Sequence, residues 1–285
     1  MKAALYPNFQ KKNALKCARE TCDVLTSCGI DVYVSKEFKS DFSDKSNIKY
    51  EDISISARNS DVVIAIGGDG TILRCAKYLM ETNTKLLGIN TGTLGFMAGL
   101  EADQLDKLKM LRDGNYGVSE RMTLDVTIHG ESEDKVYTAL NDVCAKSRNS
   151  KICNFEVYSD GYLIGRYRAD GVLFSTPSGS TAYALSAGGP VIEPDLECIE
   201  MTLICPHSLF SRATLFSADR HLRFLDSTTS DERAMSISID GDAYIEINSG
   251  QSVNIAMGRN KIQFIDLIGN SFHESLCRKM MKPIK

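Results

Sequence analysis

The sequence predicts two domains, an α/β N-terminal domain and a β-rich C-terminal domain, and two observations carry this prediction. In the first third of the 285-residue chain, short apolar runs alternate with helical patterns, which is typical of a parallel sheet with crossover helices. After a polar helical stretch at residues 104–113, apolar residues recur at every second position, which is typical of antiparallel strands. We place the α/β domain at residues 1–102 and the β-rich domain at 103–260, and expect the segment at 261–285 to pack back on the N-terminal domain.

The predicted elements of the α/β domain follow in order from the N-terminus. Residues 2–6 form a candidate strand, and residues 14–28 form a helix with Leu15, Ala18, Cys22 and Leu25 on its apolar face. Gly29 stands where a helix C-cap glycine is expected. The continuous apolar run at 62–66 predicts a strand that is covered on both faces. The remaining elements are strands at 30–34 and 85–89 and a helix at 71–80.

The predicted β-rich domain contains two strong hairpin signals. Asp160-Gly161 and Asp240-Gly241 separate apolar runs of period two, and an Asp-Gly pair favours a tight hairpin turn because both turn positions need a positive φ. The period-two pattern is clear at residues 124–128, 235–239 and 243–247. A short helix at 271–281 is predicted to end the chain.

Composition and charge exclude several classes of protein. The net charge of -4 and the pI near 5.7 leave no overall basic surface, so a nucleic-acid partner is not expected. No apolar run approaches the ~20 residues of a membrane span, so we predict a cytoplasmic protein without a membrane partner. The nine cysteines and four histidines lack metal-ligand spacing, so no residue is predicted to hold a structural metal and the thiols are expected to be reduced.

The strongest local motif is Gly67-Gly68-Asp69-Gly70-Thr71, which lies between the predicted buried strand and the predicted helix. Glycines permit positive φ and let a ligand approach the backbone, and a following helix N-terminus directs amide donors at a phosphate. Asp69 could accept a proton from an attacking hydroxyl, as a catalytic aspartate does in phosphoryl transfer. The alternative is a tight turn in which Asp69 is only an N-cap. No Walker A sequence is present.

Two further segments carry candidate binding residues. Residues 170–190 combine hydroxyl side chains, small residues and glycines, which offer a ligand many short hydrogen-bonding groups and close access to the backbone. The alternative is a Ser/Gly-rich surface loop. Asn141-Asp142 pairs an amide with a carboxylate directly after a predicted strand, although such a pair by itself is more often a turn.

Together these motifs resemble the NAD kinase family, and the match runs in order through most of the chain. The matching stretches are residues 67–71, 90–96, 141–142, 170–190 and 205–209. The first is less specific, because diacylglycerol, sphingosine and 6-phosphofructo-kinases carry close variants, whereas the long Ser/Thr/Gly segment is far more specific to NAD kinases. The resemblance implies an active site between the two domains and assembly as a homodimer or homotetramer. It also implies transfer of a phosphoryl group from ATP, with a divalent metal cation such as Mg²⁺, to the 2'-hydroxyl of the adenosine ribose of NAD, which gives NADP.

The resemblance also assigns roles to individual residues. Asp69 is similar to the family's proton acceptor, Asn141 and Asp142 to ligands of the adenosine ribose region, and Asp170 to a residue near the nicotinamide carboxamide. Lys151 is the nearest candidate for the family's cationic contact. The other residues implied to bind nucleotide, of which the two arginines and the last aspartate are weaker matches, are Gly68, Gly70, Arg74, Arg168, Thr181, Ala182, Tyr183, Ser186 and Asp242.

Two alternative functions stay open at this point. A lipid kinase of the diacylglycerol type shares the glycine-rich motif, but the polar segment at 175–186 argues against the apolar acceptor groove that it would need. A non-catalytic NAD(P) sensor could keep the pocket and lack turnover. Inorganic polyphosphate as a replacement for ATP also stays open.

Overall fold

The computed structural model of the chain describes residues 1–92, 95–130, 133–149, 151–227, 235–269 and 271–280. Two compact units are present. The first contains Met1–Glu120 and Ile262–Lys285, and the second contains Arg121–Lys261. No helix among the described residues is long and apolar enough to cross a membrane.

The first unit is built on sheet A. Its strands are β1 (Lys2–Pro7), β2 (Asp31–Val34), β3 (Ile48–Tyr50), β4 (Val62–Gly67), β5 (Lys85–Asn90), β6 (Leu100–Glu101), β7 (Gly117–Arg121) and β20 (Ile262–Asp266). They run in the order β3-β2-β1-β4-β5-β20-β7, with β6 paired to β5. The pairs joining β1, β2, β3, β4, β5, β6 and β20 are parallel.

The helices of the first unit connect and cover these strands. They are α1 (Ala14–Ser27), α2 (Ile53–Asn59), α3 (Asp69–Ala76), α4 (Lys109–Asp113) and α6 (Ser271–Met280), with short 3-10 helices at Lys36–Phe42 and Leu105–Leu108. All residues of β4 are buried, which confirms the strand predicted to be covered on both faces. In α1, Leu15 is exposed, contrary to the predicted face, and Ala14 and Cys17 are buried instead. Gly29 follows α1 with φ 74°, as expected for a C-cap glycine.

The second unit is a sandwich of two sheets. Sheet B has the order β12-β11-β16-β19-β8-β9, and sheet C has the order β15-β14-β13-β10-β17-β18. Its elements are β8 (Leu124–Ile128), β9 (Lys135–Ala139), β10 (Asp142–Ser147), β11 (Cys153–Ser159), β12 (Tyr162–Ala169), β13 (Gly171–Ser175), a 3-10 helix (Gly179–Thr181), α5 (Tyr183–Ser186), β14 (Cys198–Ile204), β15 (Thr214–Ser217), β16 (Leu222–Asp226), β17 (Met235–Ile239), β18 (Asp242–Ile247) and β19 (Ser252–Met257).

Alternation along the strands of sheet C separates an apolar face from a polar one. Val143 and Phe174 belong to the core that also contains Phe155 and Phe224 of sheet B. The side chains next along each strand point to the other face. Both predicted hairpin turns are confirmed, because Asp160 and Asp240 have φ of 48° and 51°, and each is followed by a glycine with positive φ. The α/β and β-rich character of the two units agrees with the predicted fold class.

Candidate active site

Asp69 is the first residue of α3 and lies directly beyond the buried end of β4. Gly68 is the N-cap, and no side-chain hydrogen bond caps the helix, so the alternative in which Asp69 serves as the N-cap is wrong. The carboxylate instead accepts hydrogen bonds from the backbone N–H groups of Phe96, at 2.8 Å, and Met97, at 3.1 Å. Asp69 is half-buried. An ionised carboxylate has about four lone-pair sites, so both oxygens can accept a further hydrogen bond from a ligand.

Of the two purposes that the sequence suggested for the glycines beside Asp69, positive φ is wrong, and open access to the backbone agrees with the structure. Neither Gly67, Gly68 nor Gly70 has a positive φ, so a left-handed backbone is not the reason for the motif. A Cβ atom at Gly67 would lie 2.3 Å from Oγ1 of Thr71, and glycine is needed there for close packing. At Gly68 and Gly70 an added Cβ would meet nothing within 4 Å. That open space leaves the backbone at the start of α3 accessible to a ligand.

One side-chain hydrogen bond reaches the motif, and another forms at the neighbouring end of β5. Nδ2 of Asn8 donates to Oγ1 of Thr71 at 3.1 Å. At the end of β5, Nδ2 of Asn90 donates to Oε2 of Glu101 at 2.9 Å, and burial raises the pKa of that glutamate. The segment predicted to match at 90–96 includes residues 93 and 94, which lie outside the described residues.

In the second unit, Asp142 begins β10 and is 6% exposed. Burial, with a smaller contribution from the charge of Asp240, raises the pKa of Asp142 to about 7. A carboxyl group whose pKa lies near neutrality can change its charge in the physiological range, and such groups are concentrated at functional sites.

Asp240 is a residue of this region that sequence reasoning missed. Its Oδ2 accepts a hydrogen bond from the N–H of Leu140 at 3.0 Å, and its Oδ1 accepts from the N–H groups of Asn141, at 2.7 Å, and Asp142, at 3.2 Å. The same carboxylate therefore fixes the backbone of both predicted ligand residues. The Asp-Gly pair indicated only a hairpin, and nothing in the sequence spacing connects position 240 with position 141.

The Ser/Thr/Gly segment packs on the same backbone, and its first part is not a surface loop. Oγ1 of Thr176 donates to the carbonyl of Leu140 at 2.6 Å, and the N–H of Gly179 donates to that hydroxyl at 3.0 Å. A Cβ at Gly179 would lie 2.0 Å from the carbonyl oxygen of Asn141. Thr176 and Ser180 are fully buried. The segment is therefore a fitted part of the fold rather than a solvated connection.

A row of polar side chains crosses the polar face of sheet C. Asp142 pairs with Ser175, and Ser175 pairs with Glu200, so the three residues stand side by side on neighbouring strands. Oγ of Ser175 and Oε2 of Glu200 are buried with no hydrogen-bond partner, as is Oδ1 of Asn141. Burial raises the pKa of Glu200. The row therefore offers unused hydrogen-bonding atoms close to the predicted ligand residues.

A cavity of about 540 Å³ opens on the polar face of sheet C. It is within the range of small-molecule sites. Two of the predicted site residues, Asp170 and Tyr183, line it together. Residues that the sequence did not single out complete the lining: Lys146, Ser147, Arg148, Ile204, Ser236, Tyr244 and Glu246.

The other predicted binding residues are more widely distributed. Thr181 and Ala182 are half-buried and Ser186 is exposed, all next to Tyr183 in the chain. Arg74 is exposed on α3, beyond Gly68 and Gly70. Lys151, Arg168 and Asp242 are exposed in the second unit and are not among the residues lining the cavity.

Family models match both parts of the chain. The model described as the ATP-NAD kinase N-terminal domain matches residues 4–111, and the ATP-NAD kinase C-terminal domain matches residues 140–267. An NAD kinase from Acetivibrio thermocellus is 35% identical over 287 residues, covering 98% of this chain and 97% of the relative. An NAD kinase from Lachnoclostridium phytofermentans is 33% identical over 286 residues, covering 98% of each chain.

Solved structures have the same fold. The chain superposes on yeast NADH kinase complexed with NADH with a TM-score of 0.85 at 24% identity, covering 100% of this chain and 89% of that one. It superposes on an NAD kinase from Archaeoglobus fulgidus in complex with ATP with a TM-score of 0.77 at 24% identity, covering 99% of this chain and 100% of that one.

Proposed function

This chain belongs to the NAD kinase family and is a phosphotransferase that acts on a hydroxyl group, and from that premise we propose which residues bind the substrates and which accepts the proton. The acceptor is the 2'-hydroxyl of the adenosine ribose of NAD, and the donor is ATP. The single observation that carries the assignment is the half-buried carboxylate of Asp69, which two backbone N–H groups orient at the start of α3.

Asp69 accepts the proton in this proposal. As the ribose oxygen forms its bond to the γ-phosphorus of ATP, the O–H bond breaks and the proton moves to a carboxylate oxygen of Asp69. The bond between the γ-phosphorus and the bridging oxygen breaks, and ADP leaves with that electron pair. The hydrogen bonds from Phe96 and Met97 support this role, because they fix the direction of both oxygens while leaving lone pairs for the hydroxyl.

The second unit binds NAD in this proposal. Asn141 and Asp142 bind the adenosine ribose region, and Asp170 accepts a hydrogen bond from the nicotinamide carboxamide. Three observations support the assignment: the orphaned Oδ1 of Asn141, the raised pKa of Asp142 and the position of Asp170 in the cavity. Tyr183 adds an aromatic surface on which a flat ring can stack. The further contacts that we propose come from Lys151, Arg168, Thr181, Ala182, Ser186 and Asp242.

The phosphates of ATP lie against the start of α3 in this proposal. Gly68 and Gly70 leave its backbone open, a helix N-terminus attracts anions, and Arg74 supplies a positive charge from the same helix. A divalent cation, Mg²⁺, accompanies ATP and would neutralise charge on the transferred phosphoryl group. Within the described ranges no three His, Cys, Asp or Glu residues form a metal cluster. These residues fit a cation that would be held mainly by the phosphates of ATP, because Mg²⁺ commonly takes few protein ligands.

The experiment is an assay of NADP formation. The purified protein is incubated with NAD, ATP and Mg²⁺, and NADP is followed through an NADP-specific dehydrogenase. Formation of NADP supports the proposal, and replacing ATP by polyphosphate tests the donor. Phosphorylation of diacylglycerol instead would indicate the lipid kinase, and NAD binding without product would indicate the sensor. We further propose that the protein forms a homodimer or homotetramer, which light scattering tests. We also propose that it works in the cytoplasm, which cell fractionation tests.

A further inference from the structure

One cationic side chain that lines the cavity of the second unit, Lys146, makes no salt bridge within the described residues. Four charged residues line the cavity: Lys146, Arg148, Asp170 and Glu246. Arg148 and Glu246 neutralise each other, with Nη2 and Oε1 2.7 Å apart. In the described part of the chain no salt bridge joins Lys146 to a carboxylate; its Nζ lies 5.1 Å from the ring centroid of Tyr244. The ammonium group is thus held over an aromatic face without an anionic partner.

The position of Lys146 relates it to the proposed ligand residues. Val143 and Ala145 of β10 point into the core, so Asp142 and Lys146 lie on the opposite, polar face of the same strand. Four residues of strand span about 13 Å. Lys146, which lines the cavity, therefore lies on the same face of β10 as Asp142, four residues along the strand.

The cavity combines three kinds of group that suit a nucleotide. Tyr183 is 42% exposed and offers a face for a flat ring, Asp170 can accept a hydrogen bond, and Lys146 offers a positive charge. Lysine binds phosphate as a point charge. We propose that Lys146 binds a phosphate group of the dinucleotide in this cavity. This inference rests on the proposed function and adds to it a contact for the pyrophosphate of NAD.

Calorimetry tests the proposal by measuring the binding of pairs of ligands that differ only in whether they carry a phosphate group. Lys146→Gln is expected to weaken binding of NAD on the order of 10-fold. The same loss is expected for at least one of AMP and nicotinamide mononucleotide, while the matching nucleosides, adenosine and nicotinamide riboside, bind as they do to the unchanged protein. Whichever mononucleotide loses affinity identifies the half of NAD whose phosphate Lys146 contacts. Lys146→Arg, which keeps the charge, is expected to retain most of the affinity.

A matched control is Lys135→Gln on β9 of the same unit, which makes the same change in net charge at an exposed position outside the cavity lining. Its affinity for NAD is expected to equal that of the unchanged protein. Unchanged NAD binding by Lys146→Gln would overturn the inference, as would an equal loss for nucleosides and nucleotides. A loss of affinity for ATP or NADP without a loss of affinity for NAD would also overturn the inference, because Lys146 would then contact a different phosphate. NAD binding can be measured without turnover. If the protein forms no NADP, the proposed function is refuted, but the effect of Lys146→Gln on NAD binding can still be measured.

Discussion

The carboxylate of Asp69 occupies the space that a side chain at position 95 would need. A Cβ atom built on Gly95 would lie 2.0 Å from Oδ1 of Asp69, far inside van der Waals contact. The next two residues, Phe96 and Met97, donate their N–H groups to the same carboxylate. The backbone at 95–97 and the first residue of α3 therefore fit each other only when residue 95 is glycine.

We predict that Gly95→Ala lowers kcat by about 10-fold or more, because the new methyl group displaces the carboxylate from the direction that its two donors set. The control is Gly92→Ala in the same connection, where an added Cβ meets nothing within 4 Å. Both variants are compared with the unchanged protein in the NADP assay, and circular dichroism establishes that each is folded. Equal activity of the two variants would contradict the prediction.

Asp69→Asn is expected to reduce kcat by roughly 10² to 10⁴ while the protein stays folded, which is the usual contribution of a positioned general base. The amide keeps the shape of the carboxylate but cannot accept the ribose proton, and its NH2 group cannot accept one of the two backbone hydrogen bonds that orient the side chain. NAD binding, measured by calorimetry, is expected to persist, so that the loss lies in turnover. A variant with unaltered turnover would remove Asp69 from the mechanism.

The features that the sequence predicted are those that neighbouring residues determine. The buried strand β4 followed from a continuous apolar run, and the positive φ at Asp160 and Asp240 followed from the Asp-Gly pairs. The bond from the N–H of Phe96 to Asp69 joins residues 27 positions apart, and the bonds to Asp240 join residues about a hundred positions apart. Such contacts depend on strand register, which the local pattern does not contain.

The residues that line the cavity likewise include some that the sequence predicted and some that it did not. Tyr183 and Asp170 were predicted because they stand in the segment at 170–190 that resembles NAD kinases, whereas Lys146 and Tyr244 stand in strands that carry no motif. β17 pairs with β10 and with β18, and this register places Lys146 and Tyr244 close to each other. Their contribution could be recognised only after the order of sheet C was known.

Asp240→Asn tests the hydrogen bonds between the carboxylate of the second hairpin and the backbone of the predicted ligand residues. We predict a loss of about 1 to 3 kcal/mol in the free energy of unfolding, because an amide cannot accept the three backbone hydrogen bonds equally and leaves a buried N–H group unsatisfied. The control is Asp160→Asn, which changes the same position of the other hairpin, where the aspartate is more exposed. Urea unfolding is expected to show a smaller loss for the control. Asp160 is paired with Arg220 and accepts a hydrogen bond from the N–H of His221, so a loss of equal size in both variants would contradict the prediction that the buried contacts of Asp240 contribute more.

The raised pKa of Asp142 predicts how stability varies with pH. The carboxyl titrates near 3.8 in its ordinary state and at about 7 in the folded protein, where burial and Asp240 oppose its charge. Because the folded state binds this proton more tightly, the contribution to stability is fully present below about pH 4 and is lost as pH rises to about 7. Between pH 5 and pH 8 the loss from Asp142 is on the order of 2 to 3 kcal/mol.

Asp142→Asn removes the titrating group, so its free energy of unfolding is expected to fall less than that of the unchanged protein between pH 5 and pH 8. Urea unfolding at the two pH values measures the difference. Asp219→Asn serves as the control, since Asp219 is an exposed aspartate of the same unit, and it is expected to retain the full pH dependence. Equal pH dependence in the Asp142 variant and the unchanged protein would show that the carboxyl is ionised throughout this range. The buried acid beside Ser175 would then need a compensating donor, since an unpaired charge at this depth is strongly unfavourable.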